Sequence, residues 1–296
     1  MRSPTGLTFE PRRVDYGVTV NQWSRLKLTR SWWLFSELLG RVEVWNTSGD
    51  FAADVRILED RSALEFLTPA GFRPPIAEWG LLVGDAVHNA RSALDALVWD
   101  LAHSEGATPG APHRVMFPVT KSEREWKSTV KSLETVPEGP LERMRLAQPW
   151  AVESPEPNQS WLKILSRLDN DDKHRGRVVA LPMQESIGLD MNGLSLGEPL
   201  PEGGYMHMWG SGLDGTEPAG TPFARFGLGA RIAGDPAVHR TASIQLAPAV
   251  VVFDQMIPVA ALQQEMLGFI RGLLDEVAAG AELHETWITP QTRSHD

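Results

Sequence analysis

From Pro74-Pro75 to about Ser104, apolar residues recur at the spacing of a helix that packs by one side. Val83, Ala86, Val87, Ala90, Leu94, Leu97, Val98 and Leu101 follow the i, i+3, i+4, i+7 rule. At about 100° per residue they form a single stripe, with His88, Arg91 and Asp95 aligned along its flank and Asp85 farther round. Two prolines open this segment and Gly106 closes it, as helix starts and stops require. Whatever the chain becomes, this helix must bury that stripe against other elements and present polar groups at the rim of the contact.

Other segments supply those elements. Residues 22–39 read as a helix ending at Gly40, after which the period changes. Val42-Glu43-Val44-Trp45 alternates, 46–50 is turn-rich, and 53–57 and 63–67 look like strands, which predicts a small antiparallel ribbon over about 41–68. Helices are expected over about 122–133, 141–147 and 159–168, with 169–175 at or just beyond the end of the last. Short strand-like runs at 177–181, 206–209, 223–226 and 242–253 predict a mostly antiparallel sheet. Pro258 opens a final amphipathic helix to about Ala279. The fold class is therefore α+β. A helical bundle with a β-ribbon insertion occupies 1–175, and a β-rich segment with a closing C-terminal helix, packed on the bundle, occupies 176–296.

Composition narrows the chemistry. The 296 residues include no Cys, which removes disulfides, thiolate metal sites and Cys nucleophiles. No run approaches the roughly 20 apolar residues of a membrane span, and the first residues lack the apolar stretch of a signal peptide. A cytoplasmic protein with no membrane partner is the expectation. Net charge is −10, and residues 181–296 hold fourteen acids against five Arg and no Lys. A polyanion would therefore be repelled by the C-terminal third and would meet the middle of the chain.

Two clusters look built for more than folding: Gly84-Asp85-Ala86-Val87-His88-Asn89-Ala90-Arg91-Ser92-Ala93-Leu94-Asp95, and Asp169-Asn170-Asp171-Asp172-Lys173-His174-Arg175. An imidazole exchanges protons near neutral pH, and a guanidinium offers a fixed fork of donors to an anion. His88, Arg91 and His174 are accordingly the candidate catalytic residues. Asp85, Asn89, Asp95, Asp172, Lys173 and Arg175 are the candidate binding residues. The plain alternative is an Arg91–Asp95 i, i+4 pair worth roughly 0.2–0.5 kcal/mol, with the second cluster a solvated helix end whose cations complement the dipole. Asp85, His88, Asp172 and His174 could form a carboxylate–imidazole metal set, but Lys173 and Arg175 would oppose a cation, so no metal is assigned. No cofactor follows from these residues. Phosphate-loop, nucleophile-elbow and H-E-x-x-H signatures are absent from the sequence.

Taken with Phe117-Pro118-Val119 and Gln148-Pro149-Trp150, the two clusters occur in an order that resembles a family of uncharacterised bacterial and actinophage proteins. That family's pattern is close to G-D-x-x-H-N-x-R-S-A-L-D-H, F-P-I, Q-P-Y and N-x-D-K-H-R, and the likeness covers roughly residues 76–180. R-S-A-L-D-H in turn resembles the R-x4-6-H signature of HEPN helical domains, many of which are ribonucleases. Here Ala96 stands where the His is expected, so any acid–base role would pass to His88 or His174. The resemblance implies a HEPN-like bundle that binds RNA or a nucleotide-like anion, acting as a defence or phage-host factor, with Arg91, Lys173 and Arg175 on phosphate. Two further readings stay open: a non-catalytic interaction or scaffold protein with a structural buried polar network, and a metal-assisted small-molecule enzyme. Whether the chain is an enzyme is left undecided, and a homo-oligomer is compatible with all three.

Overall fold

The computed structural model describes residues 22–48, 52–151, 160–175, 180–189, 195–197, 207–210, 217–227, 229–233 and 240–279. The expected stop at Gly40 does not occur. Helix α1 runs from Gln22 to Ser48, and the Val42–Trp45 stretch expected as a strand is helical. The reason is tertiary. Leu28, Ser31, Phe35, Leu38 and Val42 are buried at alternating spacings of three and four against the next long helix. Trp45 continues the series, edge-on to Phe72 at 5.5 Å and to Trp79 at 6.1 Å. Burial of this face outweighs the strand preference of two valines and the roughly 1 kcal/mol penalty of a mid-helix glycine. The ribbon is correspondingly shorter than 41–68, with strands β1 (Ala52–Ile57) and β2 (Ala63–Leu67) only.

Helix α2 (Ile76–Ala102) matches expectation, with Pro75 before its first turn and the whole predicted stripe buried. Glu78 in the first turn complements the positive end of its dipole. Helices α3 (Glu123–Thr129) and α4 (Glu138–Leu146) are short. Helix α5 (Trp161–Arg175) is longer than foreseen, because the Asp169–Arg175 cluster forms its last two turns and does not lie beyond it.

The remaining strands are β3 (Ala180–Leu189), β4 (Ser195–Leu196), β5 (His207–Gly210), β6 (Pro222–Gly227), β7 (Ile232–Ala233), β8 (Arg240–Val252) and β9 (Gln255–Pro258). They build an antiparallel sheet in the order β3-β8-β1-β2-β6-β5, with β9 added to β8 and a separate β4-β7 pair. The β1-β2 hairpin is thus the centre of the sheet, joined to β8 through Ala52↔Ser243 and to β6 through Ala63↔Gly227. Glu65, 1% exposed on β2, is held by Arg56 and Arg225 from the flanking strands. After β9, helix α6 (Val259–Ala261), a π-helical turn (Leu262–Met266) and α7 (Leu267–Ala278) close the described fold.

Two apolar clusters result. The larger joins α1, α2, α5, α7 and the end of β8; the smaller fills one face of the sheet, and Trp45 touches both. Strand β8 is common to them: Val250 and Val252 belong to the first, Ala242, Ile244 and Leu246 to the second. Its last residues turn through Phe253 and Asp254, both at positive φ (52° and 61°), which is the two-residue hairpin geometry whose twist matches antiparallel strands.

Candidate functional site

The two polar clusters meet where α5 crosses α2. His88 Nδ1 lies 3.3 Å from Asp169 Oδ1, and Lys173 Nζ donates to the other carboxylate oxygen at 2.7 Å. Asp169 is 5% exposed, so this carboxylate is buried with an imidazole on one side and an ammonium on the other. Ser92 Oγ stands 3.5 Å from His88 Nε2. One turn away, Asp172 rests on the α2 backbone at Gly84, where a Cβ would sit 2.9 Å from its Cγ. A side chain at position 84 would have to push that carboxylate aside.

Arg91 and Asp95 face another way. Arg91 donates to the Phe117 carbonyl at 2.5 Å, Asp95 Oδ1 accepts the Phe117 N–H at 2.8 Å, and the two side chains pair at 3.1 Å. Both backbone groups of Phe117 are thereby tied to α2. Burial raises the Asp95 carboxyl above its ordinary value, against the opposing pull of Arg91 and the Phe117 N–H. With 11% of its side chain exposed, Arg91 is a clamp on a loop and not an open anion fork. Asn89 turns its amide back onto the Asp85 carbonyl at 2.8 Å, while Asp85 itself is exposed. The backbone of His174 and Arg175 completes α5, and their side chains lie outside the described residues. Among the described residues no three carboxylate or imidazole groups converge in an arrangement that could hold a metal ion.

The face of α5 turned away from the core lines an open cleft of about 570 Å³. Because Ile164, Leu165 and Leu168 point into the core, Lys163, Ser166, Arg167 and Asn170 share the outward face at i, i+3, i+4 and i+7. Facing them are Val119-Thr120-Lys121 and Pro149-Trp150, with Phe253 of the β8-β9 turn as the third wall. Lys163 Nζ lies 5.0 Å from the Phe253 ring centroid, and Arg167 pairs with Asp171 at 2.6 Å. Among the described residues three cations thus line one concavity, with Asp171 paired to one of them.

A buried amide fixes the loop walls. Gln148, fully buried, accepts from the Thr120 N–H at 2.8 Å and hydroxyl at 3.0 Å, and donates to the carbonyls of Pro118 at 2.9 Å and Met144 at 3.0 Å. The Trp150 indole N–H donates to Thr120 Oγ1 at 2.9 Å, which sets the plane of its ring. The F-P-V and Q-P-W segments noted in the sequence, together with Asn170, therefore converge on this cleft. Sequence reasoning missed Lys121, Trp150, Lys163 and Arg167. The signal was the polar face opposite Ile164, Leu165 and Leu168.

A second concavity, about 650 Å³, is lined by Arg114, Lys131 and Glu134 and by no aromatic side chain. No helix among the described residues is long and apolar enough to cross a membrane. Comparison with known proteins finds no matching family, no matching curated protein and no matching solved structure.

Proposed function

We propose that this chain binds RNA or a nucleotide-like anion, and that the cleft between α5 and the Thr120 and Trp150 loops is where it does so. One observation carries the reading: an indole held at a fixed angle by Thr120 stands in the same concavity as Lys121, Lys163 and Arg167. A nucleotide has two parts to satisfy, a flat π-face and a phosphate. Base–aromatic stacking is worth about 1–3 kcal/mol and tolerates any base, while the cations supply the salt-sensitive share. A volume of about 570 Å³ suits a small ligand or a splayed-out strand segment. The concavity at Arg114 lacks the aromatic platform and carries Glu134.

His88 and Asp169 are not among the residues that line this cleft, so binding, and not cleavage, is the activity proposed. This is consistent with Ala96 occupying the position where the HEPN-like signature carries His. In a bacterial or phage setting such binding would suit a defence or host-interaction factor. The test is fluorescence anisotropy with a labelled single-stranded RNA, and calorimetry with AMP, at several salt concentrations. Trp150→Ala should weaken RNA binding by about 5- to 150-fold, and Lys163→Ala with Arg167→Ala should flatten the salt dependence by about one unit of slope per cation. Failure of both ligands to bind the wild type at low salt, or unchanged binding by all three variants, overturns the proposal.

A scaffold role has one observation in its favour. Arg91, Asp95, His88, Asp169 and Lys173 all find partners inside the fold, as a network that fixes helix register would. Under that reading Arg91→Ala lowers the melting temperature and leaves nucleotide titrations of the folded protein unchanged.

A further inference from the structure

Helix α1 buries one stripe and, among the described residues, leaves a second, partly apolar face exposed. Its inner stripe, ending at Val42 and Trp45, packs on α2. Its outer face exposes Trp23, Leu26, Arg30, Trp33, Glu37, Gly40 and Val44, which also alternate at three and four residues. That spacing is the seam of a helix that meets another helix along its length. Trp23 is 54% exposed, Trp33 44% and Val44 64%, a large uncovered apolar load for one helix face.

We infer that this stripe is the contact between two copies of the chain, with the α1 helices antiparallel about a two-fold axis near Trp33. Charge and size select this occupant. Antiparallel pairing about the stripe's middle brings Arg30 within a turn of Glu37 of the partner subunit, and the symmetry repeats the pair. Parallel pairing sets like charges together at both positions, which is unfavourable. Size complementarity agrees. A Cβ at Gly40 would meet nothing within 4 Å, and in the antiparallel arrangement this bare stretch of helix lies beside the partner's Leu26, while the partner's Trp23 faces Val44. Glu37 already accepts from Arg41 at 2.6 Å through Oε1, which leaves its second oxygen for the incoming guanidinium.

The first experiment is light scattering and sedimentation of the full chain. A mass near twice 32.7 kDa is expected, with Trp33→Glu weakening the dimer about thirtyfold or more, as removal of a central aromatic anchor does. Should Trp33→Glu misfold, charge exchange on two exposed residues serves instead: Arg30→Glu or Glu37→Arg alone weakens association, and both in one chain restore it. Because the chain has no cysteine, introduced ones report orientation. Trp33→Cys should cross-link across the axis. Gly40→Cys should not, since fourteen residues of helix, about 21 Å, would separate the two thiols. A monomer at all concentrations, a charge exchange that fails to restore the dimer, or efficient cross-linking through Gly40→Cys overturns the inference.

Discussion

Replacing Gln148 by Ala tests how firmly the cleft is built. The side chain is fully buried and joins two loops and the end of α4 through four hydrogen bonds. Alanine strands the Thr120 N–H and the Pro118 carbonyl away from water, at about 1–3 kcal/mol each. It also leaves a small void. We expect a loss of about 3–5 kcal/mol, a large share of the roughly 5–15 kcal/mol that holds a typical domain together. Urea denaturation should show a lower midpoint with an unchanged slope. Gln148→Glu separates hydrogen bonding from volume. It keeps the two bonds accepted from Thr120 but turns a carboxylate toward the carbonyls of Pro118 and Met144. That carboxyl is buried without a cation, so its pKa in the fold exceeds the unfolded value. The variant should regain stability as pH falls through the raised value, while the alanine variant should not. A loss below about 1 kcal/mol in Gln148→Ala would show that the loops hold their register by other means.

Three further outcomes follow from the same geometry. Gly84→Ala should cost about 1 kcal/mol in the wild type, because the new methyl meets Asp172, yet stabilise by about as much in an Asp172→Ala background, where only helix propensity remains; additive effects in the double-mutant cycle would refute the contact. Thr120→Val removes the acceptor of the Trp150 indole and one donor to Gln148, and should cost about 1–3 kcal/mol together with a measurable loss of nucleotide affinity. Asp95 binds its proton more tightly folded than unfolded, so the native state holds more protons between the ordinary value of 3.8 and the raised one. Wild-type stability relative to Asp95→Asn should therefore rise as pH falls through that interval, and a relative stability that falls or stays flat there would contradict burial as the dominant cause.

The sequence disclosed those parts of the fold whose pattern is local. The stripe from Val83 to Leu101 names its own helix, since one period of 3.6 persists over five turns. The end of α1 was illegible for the opposite reason: Val42, Val44 and Trp45 alternate like a strand, and only the distant surfaces of Trp79 and Phe72 make the helix preferable. Individual strands such as Pro222–Gly227 were visible, but nothing local says that β1 pairs with β8, about 190 residues away. The candidate site shows the same division. The meeting of the His88 and Asp169 clusters could be anticipated from two polar segments on helices able to pack. The cleft could not, because its cations come from two distant stretches, the Thr120 loop and α5, and Gln148 looks ordinary until its four partners are seen.

Phe253, the first residue of the turn that follows β8, is also a wall of the cleft. A guest leaning on that ring presses on a strand whose other end is stitched into the middle of the sheet. Occupancy would then stiffen regions that never touch the ligand, and proton exchange along β1 and β8 should slow when the cleft fills.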